Sequence, residues 1–266
     1  MMTQFLMFSL WAPLAAMGDV AVGERRYGAA RPGKSAIMGM MAAALGIDRA
    51  DEATHQALLS GYGLATRTEA PGMLLTDYHT VQTPAALTGR RKGDVWGTRK
   101  QQLSEPNLET LLSWREYRMD SHFLGALWER AATPYPMEAL AEGLARPQYV
   151  LFLGRKACPL GAPPSPKILE AEELGEAFER YAGMMEEVFA MAFPDRKYLY
   201  KRSPNAVPVI YADVSAWKEG LLGQDQGGFH VSRRRDMVGS RSRWQFELRE
   251  EIAAPQRGQL QEGGRE

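Results

Sequence analysis

Residues 28–35 read Gly-Ala-Ala-Arg-Pro-Gly-Lys-Ser, the spacing of a phosphate-binding loop that opens a helix. In such a loop the glycines let backbone amides wrap phosphates, and the lysine reaches the outer ones. Residues 209–213, Val-Ile-Tyr-Ala-Asp, have the look of a magnesium-binding strand end. Nucleotide hydrolysis requires the loop to leave a buried strand directly. Here Gly23-Glu24-Arg25-Arg26-Tyr27 precedes it, which is charged loop material, so a P-loop NTPase is the lesser alternative. The same amides, with Lys34 and Ser35, make a seat for a backbone phosphate of RNA. Arg25, Arg26, Tyr27 and Arg31 crowd the approach to that helix. Arginines beside an aromatic suit phosphate contact and base stacking.

Three further clusters carry the same chemistry. Asp77-Tyr78-His79-Thr80-Val81 leads into a basic arm with Arg90, Arg91, Lys92, Arg99 and Lys100, and Trp96 near its middle. From residue 78 to 118, these five cations plus Arg115 and Arg118 face Asp94, Glu105, Glu109 and Glu116, an excess of three positive charges. Such an arm can lie along a nucleic-acid strand; a solvated hairpin has the same composition. In Trp114-Arg115-Glu116-Tyr117-Arg118, strand alternation places Arg115 and Tyr117 on one face and Trp114, Glu116 and Arg118 on the other. Leu153-Gly154-Arg155-Lys156-Ala157-Cys158-Pro159 turns at a glycine and presents two cations. Cys158 has no histidine near it in sequence and reads as a buried small residue. His55, His79, His122 and His230 are scattered, without metal-like spacing. Tyr78, His79 and Lys156 are the residues from which an acid–base centre for RNA cleavage would have to be built.

The elements that position these residues follow from pattern. Strands are expected at residues 4–10, 62–68, 73–81, 114–119, 121–129 and 149–153, and helices at 35–45, 51–60 and 136–145. Residues 82–109, rich in glycine and polar groups, read as a projecting insertion. An acidic amphipathic helix is expected over 170–193, a strand at 207–212, basic strands within 233–248 and a frayed end after 253. Without the insertion, the order up to residue 155 is that of a βαββαβ unit.

The chain has 266 residues, 45% hydrophobic, with a formal net charge of zero. That is ample for a core. It places any nucleic-acid site in a local patch, because a free-standing nucleic-acid binder is usually basic overall. One cysteine excludes an internal disulfide framework and fits a reducing cytoplasm. The apolar start has no basic n-region and reads as a strand, and no run reaches membrane-spanning length.

Four blocks in order, residues 25–46, 77–81, 114–128 and 149–160, resemble the CasD family, the 5′-handle-binding RAMP-superfamily subunits of type I-E CRISPR Cascade complexes. The resemblance implies an α+β fold with a ferredoxin-like RAMP domain over residues 1–160 and a thumb inserted at about 82–113; composition and pattern beyond it read as a C-terminal α/β extension over 161–252 and a flexible tail over 253–266. It implies a grip on the 5′ handle of the CRISPR guide RNA at one end of the complex. Its neighbours would be the backbone and large Cascade subunits, and target DNA would be met only through the complex. No cofactor and no membrane contact are implied. In type I-E systems another subunit is the endonuclease, so no catalysis is expected. A metal-independent repeat-RNA endonuclease of the same superfamily is the alternative. The expected RNA-binding residues are Arg25, Arg26, Tyr27, Arg31, Lys34, Ser35, Tyr78, His79, Arg90, Arg91, Lys92, Arg115, Tyr117, Arg155 and Lys156.

Overall fold

The computed structural model describes residues 2–18, 23–84, 97–130, 132–192, 208–223, 228–240, 243 and 245–256. In chain order the elements are β1 (Thr3–Ala15), β2 (Arg25–Arg26), α1 (Lys34–Ala44), α2 (Glu52–Gly61), β3 (Tyr62–Ala70), β4 (Met73–Pro84), α3 (Arg99–Leu103) and β5 (Leu108–Glu129). They continue with α4 (Met137–Ala145), β6 (Lys167–Ala171), α5 (Leu174–Ala192), β7 (Val209–Asp213), α6 (Ser215–Lys218), β8 (His230–Ser240) and β9 (Gln245–Pro255). The architecture is mixed α and β, built on one sheet of order β6-β1-β5-β3-β7-β9-β8, with β4 and β2 added along β5. All pairings are antiparallel except that of β2 with β5.

The centre of the sheet is buried on both faces, which is why its strands read as continuous apolar runs instead of alternating ones. Phe5 through Ala12 of β1 and Ser121 through Trp128 of β5 are buried without a break. Two polar members of these runs pair with each other: Ser9 Oγ lies 2.9 Å from His122 Nε2. Across the ladder, Gly63 faces Trp128, and a Cβ at Gly63 would sit 2.1 Å from the indole. Glycine there is the space the ring needs. α5 packs on β1, β5 and β6, while α1 packs with α2 and α4. Asp51 starts α2 by accepting from the Thr54 amide at 3.0 Å, an ordinary N-cap.

Several boundaries differ from expectation for physical reasons. β1 runs through Trp11 and Pro13 to Ala15. Residues 114–119 and 121–129 form one 22-residue strand, β5. The expected break falls at Asp120, whose φ of 52° marks a local kink; its neighbours pair with Ala12 and Leu14, so it lies opposite Pro13, which has no amide to offer. Residues 149–153 are not a strand. They fold into a tight loop in which the Leu153 amide donates to Cys158 O at 2.8 Å and the Leu160 amide to Leu151 O at 3.2 Å. The edge beside β1 is filled by β6 instead. β9 continues to Pro255, with Ile252 and Ala254 buried, so ordered strand extends beyond residue 253. Among the described residues, no helix is long and apolar enough to cross a membrane.

Candidate nucleic-acid interface

Beyond the Asp120 kink, β5 leaves the sheet centre and pairs with β4 from Met73↔Met119 to Pro84↔Leu108. This long ribbon, here the stem, leads toward the segment expected as a thumb. On the other side of β5, β2 lies parallel, with Arg25 beside Trp114 and Arg26 beside Arg115. The Trp114 amide donates to Glu24 O at 3.0 Å, and the Gly28 amide to Glu116 Oε2 at 2.9 Å. Arg118 reaches Ala29 O and Pro71 O. These bonds hold the segment around residues 24–29 against the stem.

Alternation sorts the stem into two faces, as expected from its sequence. On one face, Tyr78, Trp114 and Arg25 form a cross-strand row. Tyr78 and Trp114 have ring centroids 5.2 Å apart, tilted at 48°. The Arg25 guanidinium lies 5.5 Å from the Trp114 ring centre. On the opposite face lie Asp77 with Arg115, Leu75 with Tyr117, and His79 with Ser113. His79 Nε2 is 2.5 Å from Asp77 Oδ2. The Arg155 guanidinium sits 4.7 Å from the Tyr117 ring centre.

Arg155 is delivered by its glycine. Gly154 has φ +89°, and a Cβ there would lie 1.8 Å from Ala16 O. Only glycine lets the loop press this closely on the end of β1, where the Ala16 amide donates to Leu153 O at 3.0 Å. Arg155 Nη1 is buried and has no hydrogen-bond partner among the described residues. Lys156 beside it is exposed. Cys158 closes the turn by donating its amide to Arg155 O at 2.8 Å, and burial raises its thiol pKa.

The anion seat at α1 is real, but its anion belongs to the protein. The Lys34 amide donates to Asp236 Oδ2 at 2.9 Å, so the helix start is already capped. Lys34 is 1% exposed; its Nζ lies 2.6 Å from Asp213 Oδ2 and donates to Tyr62 O at 2.9 Å. Arg31 forms a bidentate pair with Glu251 and lies over the Tyr211 ring at 3.8 Å. Arg249 bridges Asp213, Asp236 and Glu251. Lys34 and Arg31 are therefore structural, correcting their expected role in holding phosphates, and an incoming nucleotide phosphate would find its seat filled. Ser35 is half-buried in the first turn of that capped helix.

Sequence comparison settles the family. The pattern described as CRISPR-associated protein Cas5 matches residues 5–250. The chain belongs to the Cas5 family. It is similar to the CRISPR system Cascade subunit CasD of Escherichia coli (strain K12), with 31% identity over 163 residues, covering 61% of this chain and 70% of that one. Among solved structures, a chain of a CRISPR RNA-guided surveillance complex superposes with a TM-score of 0.57 at 19% identity, covering 95% of this chain and 90% of the other. A second, described as a Cas protein, gives a TM-score of 0.56 at 22% identity, covering 95% of each chain. The Cas5 match spans the stem and, apart from Glu251, the ion network around α1.

Within this Cas5 frame, Arg25, Arg26, Tyr78, His79, Arg115, Tyr117 and Arg155 are brought to one stem, on two faces of it. Lys156 follows Arg155 at its rim, and Tyr27, 51% exposed, lies next to the Gly28–Glu116 bond. Arg90, Arg91 and Lys92 lie outside the described residues. Trp114 was not among the expected binding residues. Its signal was present in the alternation of residues 114–118; what the sequence lacked was the register that sets Arg25 and Tyr78 on either side of it.

Proposed function

We propose that this chain is the RNA-gripping subunit of a Cascade-type surveillance complex, holding the unpaired 5′ handle of the guide. Its similarity to a protein named as a Cascade subunit supports the setting. The observation that carries the reading is the convergence on β5 of cations from separate segments: Arg25 and Arg26, Arg115, and Arg155. Arg26 and Arg118 bond to carbonyl oxygens, which orient a guanidinium without neutralising it. The patch keeps its positive charge although the whole chain is neutral. Backbone and large subunits flank this end, and target DNA is met through the assembled complex.

The finer fold assignment rests on connectivity. β1 reaches β3 through α1 and α2, with β5 between them; β5 reaches β6 through α4, with β1 between them. Two interleaved βαβ units of this kind make a ferredoxin-like RAMP core, with the β4–β5 stem as its thumb. We assign the chain no catalysis. Alternation puts Tyr78 and His79 on opposite faces of β4, which separates two groups that an acid–base centre would need together. Repeat RNA incubated with the protein in EDTA should stay intact; cleavage would overturn this part.

The grip is tested by fluorescence anisotropy on a single-stranded handle RNA. Replacing both Arg155 and Lys156 by alanine should weaken binding and lower the log–log salt slope by about 0.7 per lost phosphate contact on a single strand. Unchanged affinity and slope would remove these residues from the interface.

A further inference from the structure

We propose that the cross-strand row Tyr78–Trp114–Arg25 is a stacking platform for one unpaired nucleobase, separate from the cations that hold phosphates. The inference rests on the RNA-gripping reading above and specifies what part of the nucleotide this face takes.

The row is set by backbone pairing. β5 lies between β4 and β2, and the two registers place Tyr78 and Arg25 on either side of Trp114. Strands are about 4.8 Å apart, so the three side chains form a short continuous surface. Trp114 is half-buried and fixed by its neighbours: Tyr78 at 5.2 Å and the Arg25 guanidinium at 5.5 Å. A cation near an indole ring is an attractive arrangement, and it stiffens the row. Tyr78 is 53% exposed. A supported aromatic with an uncovered face is what base stacking uses.

The chemistry of the row favours a base over other ligands. Its neighbours on the same face are Thr76 and Thr80 of β4 and Leu112 and Glu116 of β5, and Glu116 is committed to the Gly28 amide. An aromatic and a planar cation, flanked by one apolar side chain and hydroxyls, match a nucleobase, which has a π-face and a polar rim. In a duplex that π-face is covered by the next base pair, so the platform admits a single strand. Arg115 and Arg155 sit on the other face. The outer edge of β4 is unpaired among the described strands. An RNA strand folded over that edge meets both faces, phosphate on one and base on the other.

The test uses the full chain and a single-stranded RNA of the repeat-derived 5′ end, with each nucleotide made abasic in turn. Tyr78→Ala is the primary variant, because its exposed ring is not part of the core. It should weaken binding roughly 5- to 150-fold with the salt slope unchanged, the signature of stacking and not of charge. Tyr78→Phe should restore affinity. One abasic position should weaken wild-type binding by the same factor and make Tyr78→Ala harmless. Trp114→Phe, which keeps the stem packed, should give an intermediate loss. If Tyr78→Ala changes nothing, or weakens every abasic RNA equally, the platform is refuted. The RNA-gripping reading survives that result so long as the Arg155 and Lys156 double variant still loses affinity. If no variant alters binding, or the chain binds no RNA, both fall.

Discussion

Lys34 shows how a cation in a binding-like motif can be spent inside the fold. Burial lowers its pKa, and the Coulombic pull of Asp213 works against that shift. Removing one partner of such a buried pair costs about 3–5 kcal/mol. Lys34→Ala should fall at the lower end, because Arg249 Nη1 still reaches Asp213 Oδ1 at 2.6 Å. Asp213→Ala should cost more: it strips the shared anion from both Lys34 and Arg249 and the acceptor from the Leu64 amide. Chemical denaturation of the two variants gives the order directly, and the reverse order would contradict the network. His122 makes a second test. Complete burial lowers its pKa to about 3, so the folded protein holds it neutral while the unfolded chain binds a proton below about 6.5. The unfolded state then carries more protons, and stability falls as pH drops from about 6.5 toward 4. His122→Gln should flatten that limb of the stability–pH profile. The chemistry at Lys34 was legible in the sequence as an anion seat. That the anion is Asp236, 202 residues away, was not, because no local pattern announces a tertiary partner.

At the scale of elements, legibility followed how locally each one is specified. α1, α2, α4 and the long acidic helix were readable because propensity and periodicity are local signals. The fourth strand of the core was misplaced for an equally local reason. Tyr149 to Leu153 has an apolar strand composition, yet Gly154 folds it back on residues 158–160, while β6 is a short edge strand with little pattern. The Arg155–Tyr117 contact depends on that fold-back. Gly154→Ala should therefore lower stability by more than the roughly 1–2 kcal/mol of a left-handed alanine, since its Cβ also meets Ala16 O. It should weaken RNA binding too, although no charge is removed. A variant with wild-type stability and affinity would show that the loop has another way to seat Arg155.

For the whole molecule, composition suggested an N-terminal core with an extension after residue 160, and the sheet gives that boundary a physical meaning to test. β7 pairs with β3 through Ala65↔Ala212, and β9 and β8 continue the same sheet. Three carboxylates from these last strands, Asp213, Asp236 and Glu251, take up Lys34, the α1 amide and Arg31. A fragment ending at residue 192 would keep β1, β3, β5, β6 and every helix through α5. It would leave Lys34 without its carboxylate and α1 without its cap, and it would expose the apolar positions that face Ile210, Ala212, Ile252 and Ala254 in the core. An uncompensated cation at a largely apolar site is among the costliest single defects a fold can carry, and a typical domain has only about 5–15 kcal/mol to lose. The fragment should therefore show no cooperative thermal transition, while the full chain melts in one. Adding residues 208–256 in trans should restore protection from proteolysis if the network supplies the missing energy. A fragment that melts cooperatively alone would mean that the first 192 residues are a self-sufficient domain and that the ion network only fastens the extension to it.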